Sequence, residues 1–497
     1  MENDTSFLSQ KITFQYLLKT VNDNGKYQKI MFLYFFIISL ALSLNYANIS
    51  FVFYSPDFYC LDKDGNSFKC EETVACANEH GYFVKSQRHS LTIDYQLYCD
   101  RKYIETLGKN FIFSIASIGC LLTSWLSDFL GRRILNIGGT FLMITGSILA
   151  LSGKLYPSIV GIVFCFLGMD LLYNLIYTFG NENMGKKLRN RIVPLVVIFS
   201  VVVTITYSLI CLSYQSYLLG FWFILFVIAI CSVSNLYFVE SPYFLNKKAD
   251  KTALLEALKY INKINNKGQK MLEIESELVE GVGELEIYER ETDKSTKSIS
   301  LFKTEILKFS NIRSILIASL FYMCSYTILG LMLVSLQNLG TKNLFFNQIF
   351  LNFIKSLYVI FLFFNFYKLK RKLVMMIFAV GSTVIPILLL LNDFVLPTGT
   401  LKTVISVILS IMLIAAAENV NVGMPIYLSE MLPTIIRGFG IGFNMLVARS
   451  SFIISNYLEI LGSKHNINPL GYTCVIGIFC LLFVFSLEET LNKKLKT

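Results

Sequence analysis

Four charged residues, Asp170, Lys355, Glu418 and Arg449, lie inside long apolar runs. At the centre of a membrane-spanning helix each costs about 2.5 to 3.5 kcal/mol, so each needs a partner or a purpose. Two acids and two bases permit two readings. Either they neutralise one another as buried pairs, neutral in stability but costly to break, or they line a polar path and hold a charged solute. The Arg449 guanidinium suits the second role, because it grips a carboxylate or sulfonate through two parallel charge-assisted hydrogen bonds. Lys355 offers a point charge for a second acidic group, while Asp170 and Glu418 balance the empty site or take up a coupling proton. Tyr173, Tyr177, Tyr207, Tyr326 and Tyr358 offer ring faces to an organic solute, and Tyr326 joins the candidate substrate-binding set. In a chain with 42 Phe and 27 Tyr, however, most rings serve packing.

A second set of charges marks the ends of the runs. Asp128, Gly131, Arg132 and Arg133 follow the second run, Glu182 and Arg189 the fourth, Glu240 the sixth, and Glu430 and Arg437 the tenth. The spacing repeats: Glu182 to Arg189 and Glu430 to Arg437 are both seven apart at an offset of 248, and Glu240 precedes Glu489 by 249. Such recurrence at equivalent points implies a duplicated six-helix unit. An acid at one helix end pairs with arginines and with the start of a neighbouring helix. These residues are therefore candidates for a gate on one side of the membrane, the plainer reading being that the arginines only fix topology.

The elements that must position these charges follow from composition. The chain has 497 residues, 54% of them hydrophobic and 16% charged, too apolar for a water-soluble fold, and at about 20 residues per span it accommodates twelve membrane helices. Apolar runs fill 30–239 and 312–487, giving two six-helix bundles. They are joined by a 240–311 linker, with a 55–103 loop after the first run and polar tails at 1–29 and 488–497. No signal peptide is expected, because 1–29 is polar and no cleavage site follows. The linker is expected to hold an amphipathic helix at Thr252 to Ile264, lying on the bundle or on the membrane surface, and an acidic stretch at Glu273 to Asp293. The net charge of +10 is spread over short loops rather than gathered in a patch, which argues against a nucleic-acid partner. Arg132, Arg133, Lys186, Lys187, Arg189, Arg191, Lys368, Lys370, Arg371 and Lys372 all fall on the side of both termini, so that side is cytoplasmic, or matrix-like in an organelle. Cys60, Cys70, Cys76 and Cys99 share the loop on the opposite side, in an oxidising space. They favour disulfides over a metal site, with three pairings open.

The motifs themselves resemble a known family. Ser127-Asp128-Phe129-Leu130-Gly131-Arg132-Arg133 resembles the DxxGRR loop of major facilitator transporters. Val239-Glu240-Ser241-Pro242-Tyr243-Phe244-Leu245 and Tyr427-Leu428-Ser429-Glu430-Met431-Leu432-Pro433-Thr434-Ile435-Ile436-Arg437 resemble the PESPRWL and YxxExxPTxxR segments of its organic ion branch, which moves organic cations, organic anions and carnitine. Val447-Ala448-Arg449 resembles the helix-eleven ARxG of anion and carnitine members, and Lys355 falls near their helix-eight lysine. The resemblance implies an all-α membrane protein of twelve helices in two parallel six-helix repeats, the major facilitator fold. It departs from the pattern at 368–372, which lacks the second DxxGRR, at Thr327 and Ile328 in place of YYG, and at Ser451 in place of glycine.

The expected function is secondary transport of a small organic anion or zwitterion by alternating access, with no cofactor, no metal and no enzymatic step. His80, His89 and His465 all fall in loops, and Walker A, nucleophile-elbow and HExxH motifs are missing. The alternative is a transporter-like structural subunit with protein partners in a larger membrane assembly; a sensor signalling through the linker has little support. The plasma membrane is the first expectation and an organelle membrane, such as the mitochondrial inner membrane, the second. Topology is directly testable: a cysteine introduced by Ser295→Cys should react with impermeant maleimide only from the cytoplasmic side of sealed vesicles, and labelling from the other side would reverse the assignment.

Overall fold

Backbone groups in lipid must find partners within their own segment, so the apolar runs fold as helices. The computed structural model describes residues 25–489 except 63–65, 71, 78–80, 87, 185, 249–250, 266–307, 340–348, 350–351, 354–370, 396–399, 433–435 and 466–467. The first half contains α1 (Lys26–Val52), then a loop with β1 (Asp57–Leu61), β2 (Ser67–Cys70), α2 (Glu72–Ala77), β3 (Tyr82–Lys85) and α3 (Leu91–Asp94). The long helices α4 (Lys102–Leu130), α5 (Arg132–Ala150), α6 (Leu155–Asn183), α7 (Lys186–Ser213) and α8 (Leu218–Ser234) follow. After α9 (Pro242–Lys247) and α10 (Lys251–Ile264) come α11 (Phe309–Leu339), α12 (Arg371–Val395), α13 (Thr400–Met431), α14 (Arg437–His465) and α15 (Pro469–Ser486). Among the described residues nine helices are long and apolar enough to cross a membrane, and α7 and α13 carry shorter apolar stretches, Ile198–Ser213 and Val404–Ala417. The eighth run lies largely outside the described residues, as does the acidic stretch Glu273 to Asp293.

Two hydrophobic cores match the two halves. One packs Met31, Phe35, Met143, Phe166, Phe179 and Phe221, and the other Phe321, Tyr322, Met332, Ala417, Tyr427 and Cys480. Helix α4 serves both: Ile112 and Ala116 belong to the first core and Cys120 to the second. Helices α5, α8, α12 and α15 turn Phe141, Trp222, Phe226, Ile377, Leu391 and Phe485 outward. A soluble protein would bury these rings and aliphatic chains; lipid removes the penalty for exposing them.

Without a hydrophobic drive between helices in lipid, close backbone approach supplies the packing energy. Glycine makes that approach possible between α5 and α6, where a Cβ on Gly146 would lie 2.6 Å from the Gly161 carbonyl oxygen. Between α12 and α15 a Cβ on Gly477 would lie 2.3 Å from the Ser382 carbonyl oxygen. Polar side chains add buried links: Tyr34 donates to Asn136 Oδ1 (2.9 Å), Asn136 to Asn235 Oδ1 (2.8 Å) and Asn235 to Thr140 Oγ1 (3.1 Å).

The loop after α1 folds as an antiparallel sheet in the order β2-β1-β3, with Cys60 bonded to Cys70 and Cys76 to Cys99. That selects one of the three pairings open from sequence. The amphipathic helix α10 lies on the bundle, burying Leu254, Leu258 and Ile261, while Asn265 Oδ1 accepts from the Tyr27 amide at 2.9 Å. One expectation is corrected: His465 is the last residue of α14 rather than part of a loop, because the helix continues past the apolar run.

The α5–α6 contact predicts a contrast between two glycines of one helix. Gly146→Ala should destabilise by about 2 kcal/mol through overpacking, whereas Gly138→Ala, with open space around its Cβ, should be neutral or stabilise by up to about 1 kcal/mol through helix propensity. Thermal unfolding read with a thiol-reactive dye on the buried free cysteines measures both, and equal midpoints would refute the packing argument.

Candidate functional site

Asp170 lies near the middle of α6 and Arg449 near the middle of α14, so the two belong to opposite halves. The structure joins them: Arg449 Nη1 forms an ion pair with Asp170 Oδ1, with the Asp170 side chain fully buried and that of Arg449 15% exposed. Removing one partner of such a pair strands a buried charge, a loss of about 3 to 5 kcal/mol. Cys120 of α4 adjoins the carboxylate, and Tyr46 of α1 and Tyr326 of α11 lie within electrostatic reach of the guanidinium.

An aromatic series extends from this pair. The Tyr326 ring meets Tyr322 edge-on at 5.0 Å and Phe452 at 5.4 Å, and Phe452 stacks on Phe113 of α4 at 5.5 Å. One turn further along α14, Asn456 donates to Asn110 Oδ1 at 3.3 Å. Because α4 begins at the disulfide-bonded loop and α14 runs towards that side, these contacts between the halves step from mid-helix towards the loop face.

At the opposite face, α4 gives way to α5 through Gly131, whose φ of +98° suits glycine and whose Cβ would fall 2.3 Å from Glu240 Oε2. Glu240 occupies that space. Its Oε1 accepts from the amides of Arg132 (2.9 Å) and Ser241 (2.9 Å), and its Oε2 from that of Arg133 (3.1 Å). A carboxylate at a helix start answers both the unpaired amides and the helix dipole. The buried Arg132 side chain pairs with Glu182 Oε1 at 3.0 Å, donates to the Ser127 carbonyl at 2.8 Å and lies 4.8 Å above the Phe244 ring centre. Arg133, one residue on, points outward and is exposed.

The second half has a contact that motif reading missed. Lys372, second residue of α12, donates its amide to Glu489 Oε2 at 3.2 Å. This is the counterpart of Arg133 on Glu240, retained although 368–372 lacks the DxxGRR pattern. The signal was present in the Glu240 to Glu489 offset, since a backbone amide donates whatever side chain it carries.

Several sequence candidates are not brought into this geometry. Lys355 lies outside the described residues. Asp128 is placed on the last turn of α4, Arg189 on the first turn of α7, Glu418 within α13, Glu430 on its last turn and Arg437 at the start of α14, but their side chains lie outside the described set.

The paired helix-start contacts predict matched losses. Glu240→Gln and Glu489→Gln should each lower stability by about 1 kcal/mol, measurable as parallel shifts of the unfolding midpoint in detergent. A negligible effect of Glu489→Gln would mean that its contact does not carry weight in the second half.

Comparison with known proteins agrees with this architecture. The family model described as "Sugar (and other) transporter" matches residues 71–497. Solute carrier family 22 member 6 of Danio rerio is 24% identical over 445 residues, covering 85% of this chain and 74% of its own. The fold is similar to that of the major facilitator proton:xylose symporter XylE bound to 6-bromo-6-deoxy-D-glucose, with TM-score 0.64 and 15% identity over 94% of this chain and 98% of that one. An inward open conformation of XylE from E. coli gives a TM-score of 0.57 and 14% identity, covering 94% and 97% of the two chains. A match over most of the chain places this protein in the Sugar (and other) transporter family, a family of transporters and not of enzymes, and its multi-pass helical fold is that of the major facilitator symporter XylE.

Proposed function

We propose that the protein moves small organic anions or zwitterions across its membrane by alternating access, with Arg449 as the group that holds the anionic end. The observation that carries this reading is a guanidinium held at mid-helix depth between the two halves, paired with Asp170 and bordered by Tyr326 and Tyr46. An apolar lining with a few convergent polar groups is the usual character of an organic-ligand site. Similarity to a family 22 solute carrier, and the Ala448-Arg449 segment that resembles anion members, support the same substrate class. Lys355 and Glu418 extend the site in this proposal. Asp128, Gly131, Arg132, Arg133, Glu182, Arg189, Glu240, Glu430 and Arg437 form its cytoplasmic gate.

The accompanying topology has twelve spans, the eighth at 346–366, in bundles of 30–239 and 312–487 with both termini cytoplasmic and the plasma membrane as the address. The buried pair also favours a second reading, in which Asp170 and Arg449 permanently lock the halves and the bundle serves as a subunit of a larger assembly.

Uptake of aromatic carboxylates and sulfonates into proteoliposomes decides between the two. Arg449→Lys should lower uptake at least about tenfold despite keeping the charge, because the bidentate fork is lost, and Arg449→Ala should nearly abolish it with the protein still folded. Unchanged uptake in Arg449→Ala would reject the site. Absence of uptake by the unaltered protein, with migration in a large complex on native gels, would establish the structural role.

A further inference from the structure

We propose that a crevice at the loop face of the first half holds the phosphate of an anionic phospholipid on Arg88, the lipid coming from the leaflet on that side. No residue of the Asp170–Arg449 pair takes part. The disulfide-bonded loop supplies Arg88, Tyr54 follows the end of α1, and Cys211, Tyr214 and Tyr217 close the other side from the end of α7 and the turn into α8. Hydrogen bonds tie these walls together. The His89 amide donates to the Gln215 carbonyl at 2.8 Å, the Tyr217 amide to the His89 carbonyl at 3.4 Å, and Ser90 Oγ to the Tyr54 carbonyl at 2.8 Å. The crevice is therefore set before a ligand enters, and little ordering cost is left for binding.

Its donors suit a phosphate. The Arg88 guanidinium lies 5.7 Å over the Tyr54 ring centre, and its Nη1 donates to the Cys211 carbonyl at 3.4 Å. A guanidinium carries five N–H donors in a planar fork, which matches two oxygens of one phosphate group. Burial pushes the Tyr54 and Tyr217 phenols above their ordinary value, so both stay protonated and able to donate. Nearby acids have basic neighbours of their own: Asp57 pairs with Lys69 at 2.5 Å, and Asp94 lies 3.1 Å from His89 Nδ1.

Size and position select a lipid. The enclosed space takes a group the size of the free oxygens of a phosphodiester, not an aromatic ring, so a whole organic solute does not fit. Helices α1 and α7 end here, at Val52 and Ser213, and α8 begins at Leu218, which puts the crevice where the chain leaves the hydrocarbon. Tyr214 is exposed at its rim. Leu209 and Leu212 in the last turns of α7, and Trp222 and Phe226 in the first turns of α8, are exposed beside it. Aromatic rings at helix ends belong to the headgroup layer, and basic pockets between helices hold lipid head groups. One phospholipid thus answers both features, its phosphate on Arg88 and its acyl chains over the neighbouring apolar side chains.

Trp222 gives a local readout. After Trp125→Phe it is the only tryptophan in the chain, and bromine on an acyl chain quenches an indole only at close approach. In bilayers of phosphatidylcholine, brominated phosphatidylglycerol should quench the full-length Trp125→Phe protein at a lipid fraction about tenfold lower than brominated phosphatidylcholine, which carries the same phosphate behind a choline cation; tenfold is the size of one hydrogen bond to a charged group. Added to that background, Arg88→Gln should bring the two lipids level, and Arg88→Lys, a point charge without the fork, should keep part of the preference. Glycerol phosphate in solution, with the phosphate but no chains, should fail to displace the lipid at millimolar concentration. No preference for phosphatidylglycerol in the Trp125→Phe protein, or one unchanged by Arg88→Gln, would overturn the site. Displacement by glycerol phosphate at the affinity of the lipid would overturn the lipid as occupant in favour of a soluble phosphate ester.

Discussion

A single ion pair in a low-dielectric interior is the constraint on which the rest of the molecule turns. Asp170 and Arg449 come from helices in opposite halves, and neither charge tolerates the membrane alone. Their contact therefore ties the relative position of the two halves to the state of one carboxylate. Anything that competes for the guanidinium, or neutralises the acid, changes the energy of holding the halves in this arrangement. The aromatic contacts of Phe113, Phe452 and Tyr326 and the Asn110–Asn456 hydrogen bond extend the same seam towards the loop face. Being uncharged, they are far cheaper to break and re-form than the pair itself.

Around that seam each half is held together by close backbone contacts. Glycine-mediated approach of α5 to α6, and of α12 to α15, gives backbone contacts that are not continuously deformable. At the face opposite the disulfide-bonded loop, Glu240 and Glu489 each anchor a helix start through main-chain amides. This device depends on backbone geometry and a carboxylate, so it survives change in the surrounding loop. Asymmetry enters elsewhere: the first half adds the buried Arg132–Glu182 pair and the docked helix α10, whose Asn265 reaches the start of α1.

How much of this was legible in the chain depends on the range of the interaction. Hydropathy outlined the described spans because lipid imposes one answer on a long apolar run. Asp170 and Arg449 stood out because charge in such a run is expensive. The Glu240 to Glu489 spacing marked a duplication even where the loop motif had gone. These are properties of a residue and its near neighbours, or of a period along the chain.

Which acid meets which base is a different kind of question. Asp170, Glu418, Lys355 and Arg449 allowed several pairings, and only the packing of α6 and α14 on the shared helix α4 brought Asp170 to Arg449. In the same way four loop cysteines allowed three connectivities until the β1–β2 register, pairing Cys60 with Phe68 and Phe58 with Cys70, set the two cysteines diagonally across the ladder within bonding reach. Helix α10 had an apolar face that suited either lipid or protein, and the Tyr27–Asn265 contact fixed it on the bundle. The sequence by itself determined that this is a duplicated helical membrane protein with costly charges at its centre, since those follow from local transfer free energies. The tertiary structure alone decided the partners, because pair energies depend on distances between segments that the chain's order does not contain.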